Sequence, residues 1–187
     1  MKRPVLWIVT LLLFFALGVL ARPLLTPTTA VAAPSQQGLL PVEFYLLMNQ
    51  PGPLWLARIN LTEIYLAETD LSKANLLEAN LTRANLTRSV LDGARLQRAN
   101  MNGVILRNAA LVSADLTGAN LSNSDLRDAD LANANLTNAT LSGADLRGAD
   151  LTGATMDNIN LAQARYSSST IWPDGFDVTK TDAQLVD

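Results

Sequence analysis

The chain has 187 residues, enough for one domain; 49% are hydrophobic but only 5% aromatic, so the apolar content comes mainly from leucine and alanine and a conventional globular core is not expected. Cysteine and histidine are absent, which removes disulfides, thiolate nucleophiles, Cys/His zinc sites and the side chain that most often does acid and base work near neutral pH. The formal net charge is −3, and its distribution along the chain is more informative than its size.

Lys2 and Arg3 precede an uncharged run over residues 5–21, which Arg22 closes. That length suits a signal peptide or a short membrane anchor, residues 1–22 in all. Small residues suited to signal peptidase occur as Val19-Leu20-Ala21 and as Ala30-Val31-Ala32, so cleavage and retention both stay open. In either case the basic end stays in the cytoplasm and the remainder is exported, soluble after cleavage or anchored by residues 5–21. Pro23, Pro27 and Pro34, with Thr and Ala between them, mark residues 23–37 as a linker. Pro41 at a first helical position, with Phe44, Leu47 and Met48 at helical spacing, predicts a short helix in an N-terminal cap over residues 38–55.

Residues 56–166 follow a five-residue period without a slip. Of 21 centres taken every fifth residue from Leu61 to Leu161, 19 are Leu and the others are Met101 and Met156. Two residues before the centre, 14 of the 21 positions are Ala, and the exceptions (Ile59, Ile64, Thr69, Ser89, Val104, Ser124, Ile159) are small or β-branched. The residue between favours Asn or Asp, and the two after the centre are mostly polar or Gly. Helical steps of five would rotate successive leucines by about 140° and scatter them around the axis. In a flat strand an odd spacing would place successive leucines on opposite faces. The remaining solution turns the chain once per repeat, with the Ala and Leu positions inward and the other three outward. It is an all-β solenoid.

Ala74-Asn75-Leu76, Ala114-Asp115-Leu116-Thr117-Gly118 and Ala144-Asp145-Leu146-Arg147-Gly148 resemble the A(D/N)LXX unit of pentapeptide-repeat proteins. The resemblance implies a right-handed quadrilateral β-helix with four repeats per coil, and a core that includes Leu76, Leu81, Leu116, Leu121, Leu141, Ala114, Ala119 and Ala144. Residues 167–187 read as a C-terminal cap and tail in which Trp172 and Phe176 cover the last apolar layer. The run Thr170-Ile171-Trp172-Pro173-Asp174-Gly175-Phe176-Asp177 is similar to the ending of many cyanobacterial members, which implies that lineage; with the export segment, the expected setting is the periplasm or the thylakoid lumen.

With four repeats per coil, residues twenty apart stack. Asn60, Asn80, Asn100, Asn120 and Asn160 then share a column, interrupted by Thr140, which predicts amide ladders. Arg107, Arg127 and Arg147 form another, with Asp125 and Asp145 two residues before the latter pair; interleaved ion pairs are expected there, and this is the candidate partner-binding surface. Residues 73–107 hold six basic and two acidic side chains and residues 108–161 two basic and seven acidic, a polarity that could orient a partner or favour self-association. No catalytic, cofactor or metal residues emerge: the aspartates lack calcium-loop spacing, and no nucleophile, base and oxyanion donor converge. The reading is a non-catalytic scaffold for an unknown protein partner. The resemblance also implies an alternative, DNA mimicry directed at gyrase, which the basic first half and the export segment oppose; nucleic acid is not expected as a partner.

Overall fold

A computed structural model describes residues 52–186 of the protein. The leader, the linker and the predicted N-terminal helix lie outside the described residues, apart from the last few positions of the predicted cap. Among the described residues no helix is long and apolar enough to cross a membrane.

Parallel bridges join residue pairs twenty apart throughout the repeats, from Trp55 with Asn75 to Asp145 with Arg165. Twenty residues are four pentapeptides, so each coil has four sides. We number them by the outward residue before each centre: side one carries Trp55, Asn75, Arg95 and Asp115; side two Asn60, Asn80, Asn100 and Asn120; side three Tyr65, Asn85, Ile105 and Asp125; side four Asp70, Val90, Ala110 and Asp130. The first coil already includes Leu54 and Leu56, both buried.

Why five residues suffice for a side is visible in where the backbone N–H groups go. Around Leu76, the Asn75 N–H donates to Leu54 O of the preceding coil and the Leu76 N–H to Arg95 O of the next. The Glu78 N–H also donates to the next coil, at Gln97 O, and the Ala79 N–H closes a turn on Leu76 O. The Leu77 N–H is left for the Asn75 side chain, whose Oδ1 accepts it at 3.3 Å. The preference for Asn or Asp before the centre follows: a short side chain with an oxygen can reach the N–H two residues on. Where a hydroxyl stands there it joins in, as Thr117 does by donating from both N and Oγ1 to Asp115 Oδ1, at 3.1 and 2.6 Å.

Each corner is turned by the second residue after the centre. From Arg58 to Gln163 every such residue has positive φ, between 53° and 71°, and sixteen of them are not glycine. None of these is β-branched, the class that tolerates this conformation worst. Glycine gives clearance where a side chain from the corner one coil earlier leans over it. At Gly148 a Cβ would collide with Asp128 Oδ1, and at Gly153 with Asn133 Oδ1.

The interior holds Leu76, Leu81, Leu116, Leu121 and Leu141 with Ala114, Ala119 and Ala144, all at most 1% exposed. Alanine suits a narrow cross-section shared with leucines from all four sides, although Val104 and Ile59 take the same inward position and are buried there. Two serines take alanine positions. Ser89 Oγ donates to Leu86 O at 2.8 Å, whereas Ser124 Oγ has no partner among the described residues.

At the C-terminal end the period breaks by one residue: Asp150 pairs with Ile171, a step of twenty-one. The extra residue sits in the serine run, where Thr170 Oγ1 donates to Leu146 O at 2.9 Å and accepts the Ser167 N–H at 3.0 Å. Strand β1 (Arg165–Tyr166) then pairs in parallel with β2 (Gln184–Leu185), which closes side three.

Replacing Leu121 with Ala should cost about 2 to 5 kcal/mol and Ala119 with Leu about 1 to 3 kcal/mol in urea melts. Gly148→Ala should cost about 1 to 2 kcal/mol for its left-handed backbone plus a crowding part, and Asp128→Ala in the same chain should relieve only the latter.

Candidate functional site

The Arg and Asp columns meet on side three because the repeat places the residue before the centre and the residue after it on the same outer edge, two apart. Asp125 therefore accepts from its own coil, with Arg127 Nε at 2.9 Å on Oδ1 and Nη2 at 3.0 Å on Oδ2. Arg107 reaches the same carboxylate from the preceding coil, Nε to Oδ2 at 2.5 Å. Asp145 repeats the pattern one coil on: Arg147 Nε and Nη2 donate at 2.9 and 2.8 Å, Arg165 Nη2 donates at 2.9 Å, and Arg127 Nε lies 3.8 Å away. The result is a ladder of four guanidiniums held by two carboxylates.

Arg165 was not among the residues expected in this column. It lies before its centre rather than after it, so the search for arginines twenty apart passes it by; twenty residues past Asp145 on the same side was the available signal. The Asp145 side chain is 6% exposed, whereas Arg107 and Arg165 are each 48% exposed and keep donors facing outward. Burial pushes the Asp145 carboxyl upward, but hydrogen bonds from the Arg147 side chain and backbone and the charges of Arg165 and Arg147 outweigh it and hold the group below the usual carboxylate range. The Asp115 carboxyl on side one is held low in the same way, burial being outweighed by bonds from Thr117 and Gln97 and by Arg95.

Other charges pair across corners. Glu78 takes Arg58 at 2.8 Å and Arg98 at 3.8 Å, while Glu63 and Glu68 each meet an arginine one coil on, Arg83 and Arg88, at 3.5 Å. Such exposed pairs contribute little stability, about 0 to 1 kcal/mol each, but they change the charge picture. Arg83 and Arg88 are offset by glutamates of the preceding coil, outside the window in which basic residues predominate, so the axial polarity is weaker than the linear count suggests. The amide ladder expected on side two is also largely replaced. Asn80 and Asn120 turn Oδ1 to Thr82 and Ser122 of their own repeats, and only Asn120 Nδ2 to Asn100 Oδ1, at 3.5 Å, links coils among the described asparagines of this column. The local bond wins because its partner is two residues away and already in place.

Trp172 and Phe176 pack against the core, their rings stacked 5.4 Å apart, and Tyr166 meets Trp172 edge-on at 5.6 Å. Trp55 and Tyr65 of the first coil are 73% and 74% exposed on opposite sides, a feature that the repeat pattern alone did not single out. Among the described residues no three acidic side chains converge as a metal site would require.

A four-sided β-helix with polar columns outside and a leucine and alanine interior defines a solenoid protein. Family models agree in detail: pentapeptide repeats (8 copies) match residues 59–98 and the pentapeptide repeat region matches residues 84–161. The chain is 30% identical to Rfr23, a pentapeptide repeat protein from the cyanobacterium Cyanothece, over 60% of this chain and 87% of that one, with a TM-score of 0.40. It is 32% identical to a pentapeptide repeat protein of the Arabidopsis thaliana thylakoid lumen, over 58% of this chain and 68% of that one, with a TM-score of 0.38. HetL from Nostoc, which is involved in heterocyst differentiation regulation, shares 27% identity over 68% and 70% of the two chains, with a TM-score of 0.29. No curated protein sequence matches. The chain belongs to the pentapeptide repeat family.

Asp145→Asn should lower stability at neutral pH by about 1.5 to 3 kcal/mol, because three arginines lose a charged acceptor. A depressed carboxyl stabilises the fold above its unfolded pKa of about 3.9, and that contribution is lost as pH falls through the lower folded value. Melting curves of the two proteins should therefore converge in strong acid; a constant gap would show that the ionised carboxylate is not what matters.

Proposed function

We propose that this protein is a non-catalytic scaffold, exported or anchored through residues 5–21, that holds a protein partner against the outer side of a right-handed β-helix. The observation that carries this reading is the side-three ladder. Arg107, Arg127, Arg147 and Arg165 outnumber Asp125 and Asp145, so an excess of positive charge faces outward from a backbone bonded coil to coil. Guanidiniums already held in place lose little conformational freedom when a partner docks, which favours binding without adding contacts. An acidic patch on the partner is its natural complement. The lumenal relative supports an exported setting, with the thylakoid lumen or the periplasm as the compartment.

The family's alternative, a DNA mimic that occupies gyrase, calls for a continuous acidic face. Side three alternates in sign and carries net positive charge, which favours the scaffold reading. Cells expressing the full chain with a C-terminal tag should yield it in the exported or membrane fraction, and cross-linking before lysis should capture a partner. Arg107→Gln with Arg165→Gln, which removes the outward charge without setting a new carboxylate against Asp125 or Asp145, should weaken that capture at least about tenfold. A soluble cytoplasmic protein would overturn the export reading, and undiminished capture by the variant would overturn the surface assignment.

A further inference from the structure

The C-terminal end of the β-helix is closed unevenly. On side three, β2 supplies the next strand: the Gln184 N–H donates to Ala164 O at 2.7 Å and the Val186 N–H to Tyr166 O at 2.8 Å. On side four, Ile171 does the same for Ala149 and Leu151. Sides one and two receive no strand. In every earlier coil of side one the carbonyl two residues before the centre, the N–H of the centre and the N–H two residues after it are all bonded to the following coil. In the last coil the corresponding groups are Ala154 O, Met156 N–H and Asn158 N–H, and on side two Ile159 O and Leu161 N–H. None has a hydrogen-bond partner among the described residues.

The tail touches side two only at its corner, where the Gln163 N–H donates to Asp182 O at 3.1 Å, and makes no backbone bond to side one among the described residues. It turns at residues 173–176, where the Phe176 N–H donates to Pro173 O at 3.0 Å, and leaves a cleft along the strand. One wall is Thr155, Met156 and Asp157; the other is Pro173, Asp174 and Phe176. The cleft thus lies where one more strand would lie, with hydrogen-bonding groups on one side and an aromatic ring on the other. Its charge is also defined. Asp157 and Asp174 are exposed, and neither forms an ion pair among the described residues, whereas Asp177 just beyond is matched by Lys180 at 3.1 Å.

We propose that the side-one edge formed by residues 154–158 accepts an extended, lysine- or arginine-bearing segment of a protein partner as an added strand. Main-chain bonding to an exposed sheet edge is a general mode of peptide capture, in which the backbone supplies affinity and alternate side chains supply selectivity. Here alternate side chains of the added strand would face Phe176, which favours apolar residues, and the others would meet Asp157 and Asp174, which favours basic ones. A second copy of the same edge is a poorer occupant, since it brings its own Asp157 and Asp174 to the same seam. This site is separate from the side-three ladder, so either can fail without the other.

The test uses the full chain and a labelled synthetic peptide alternating lysine with valine, followed by fluorescence anisotropy. Two control peptides have glutamate in place of lysine, or the lysine sequence with alternate backbone amides N-methylated. Each control should bind at least about tenfold more weakly than the parent, and Asp157→Asn with Asp174→Asn should weaken the parent by a similar factor at unchanged melting temperature. Hydrogen exchange at the Met156 and Asn158 amides should slow at least about tenfold when the parent peptide is bound. Absence of saturable binding, equal binding of the N-methylated peptide, or protection that leaves those two amides unchanged would overturn the proposal.

Discussion

The structure depends on finding partners for the backbone N–H groups of a five-residue unit while the chain turns a corner. In a repeat such as that of Leu76, one N–H closes the turn, one is taken by the Asn side chain before the centre, and three bond to neighbouring coils. Three of five therefore depend on the coil above or below, so a single coil leaves most of its donors unmet and stability must come from stacking. The interior adds to this without directing it: leucine and alanine at fixed positions can fill only a square of fixed size, and that size repeats because the hydrogen bonds do.

The same constraint disposes the outer surface. Because the backbone fixes every Cα of one coil over that of the coil before, side chains meet in columns whether or not their chemistry is compatible, and sequence choice along a column becomes a choice of pairing. On side three the choice is alternation of charge, with Asp145 buried between arginines from its own coil and both neighbours. At the corners it is Glu against Arg, or a leaning Asn or Asp against Gly. These columns make a rigid display, suited to presenting a fixed pattern of charge to another macromolecule.

The ends are where the repeat logic stops. A growing solenoid always has one layer whose bonds to the next coil are unfilled, and the tail of this chain resolves that for only half of the square. Tyr166, Trp172 and Phe176 shield the last apolar layer, β2 and Ile171 take two edges, and the remaining two edges keep most of their polar groups open, the Gln163 N–H being met by Asp182 O. Covering apolar surface and satisfying backbone bonds are separate tasks, and aromatic side chains can do only the first.

Much of this was legible in the sequence. The period of five excluded helix and flat sheet, the identity of residues at its first and third positions defined the core, and stacking at twenty placed Arg107, Arg127 and Arg147 beside Asp125 and Asp145. The first two are consequences of spacing, which the chain carries covalently; the four repeats per coil that make twenty the stacking distance were implied by the resemblance to pentapeptide-repeat proteins. What the tertiary structure decided was which of several reachable partners each polar group takes. The asparagines of side two bond within their own repeats rather than along the column, Arg165 joins the ladder from a position the pattern did not mark, and Glu63 and Glu68 offset arginines one coil away. The open edge at residues 154–161 likewise depends on the path of a tail that has no period, where no spacing rule says which bonds the chain will leave unmade.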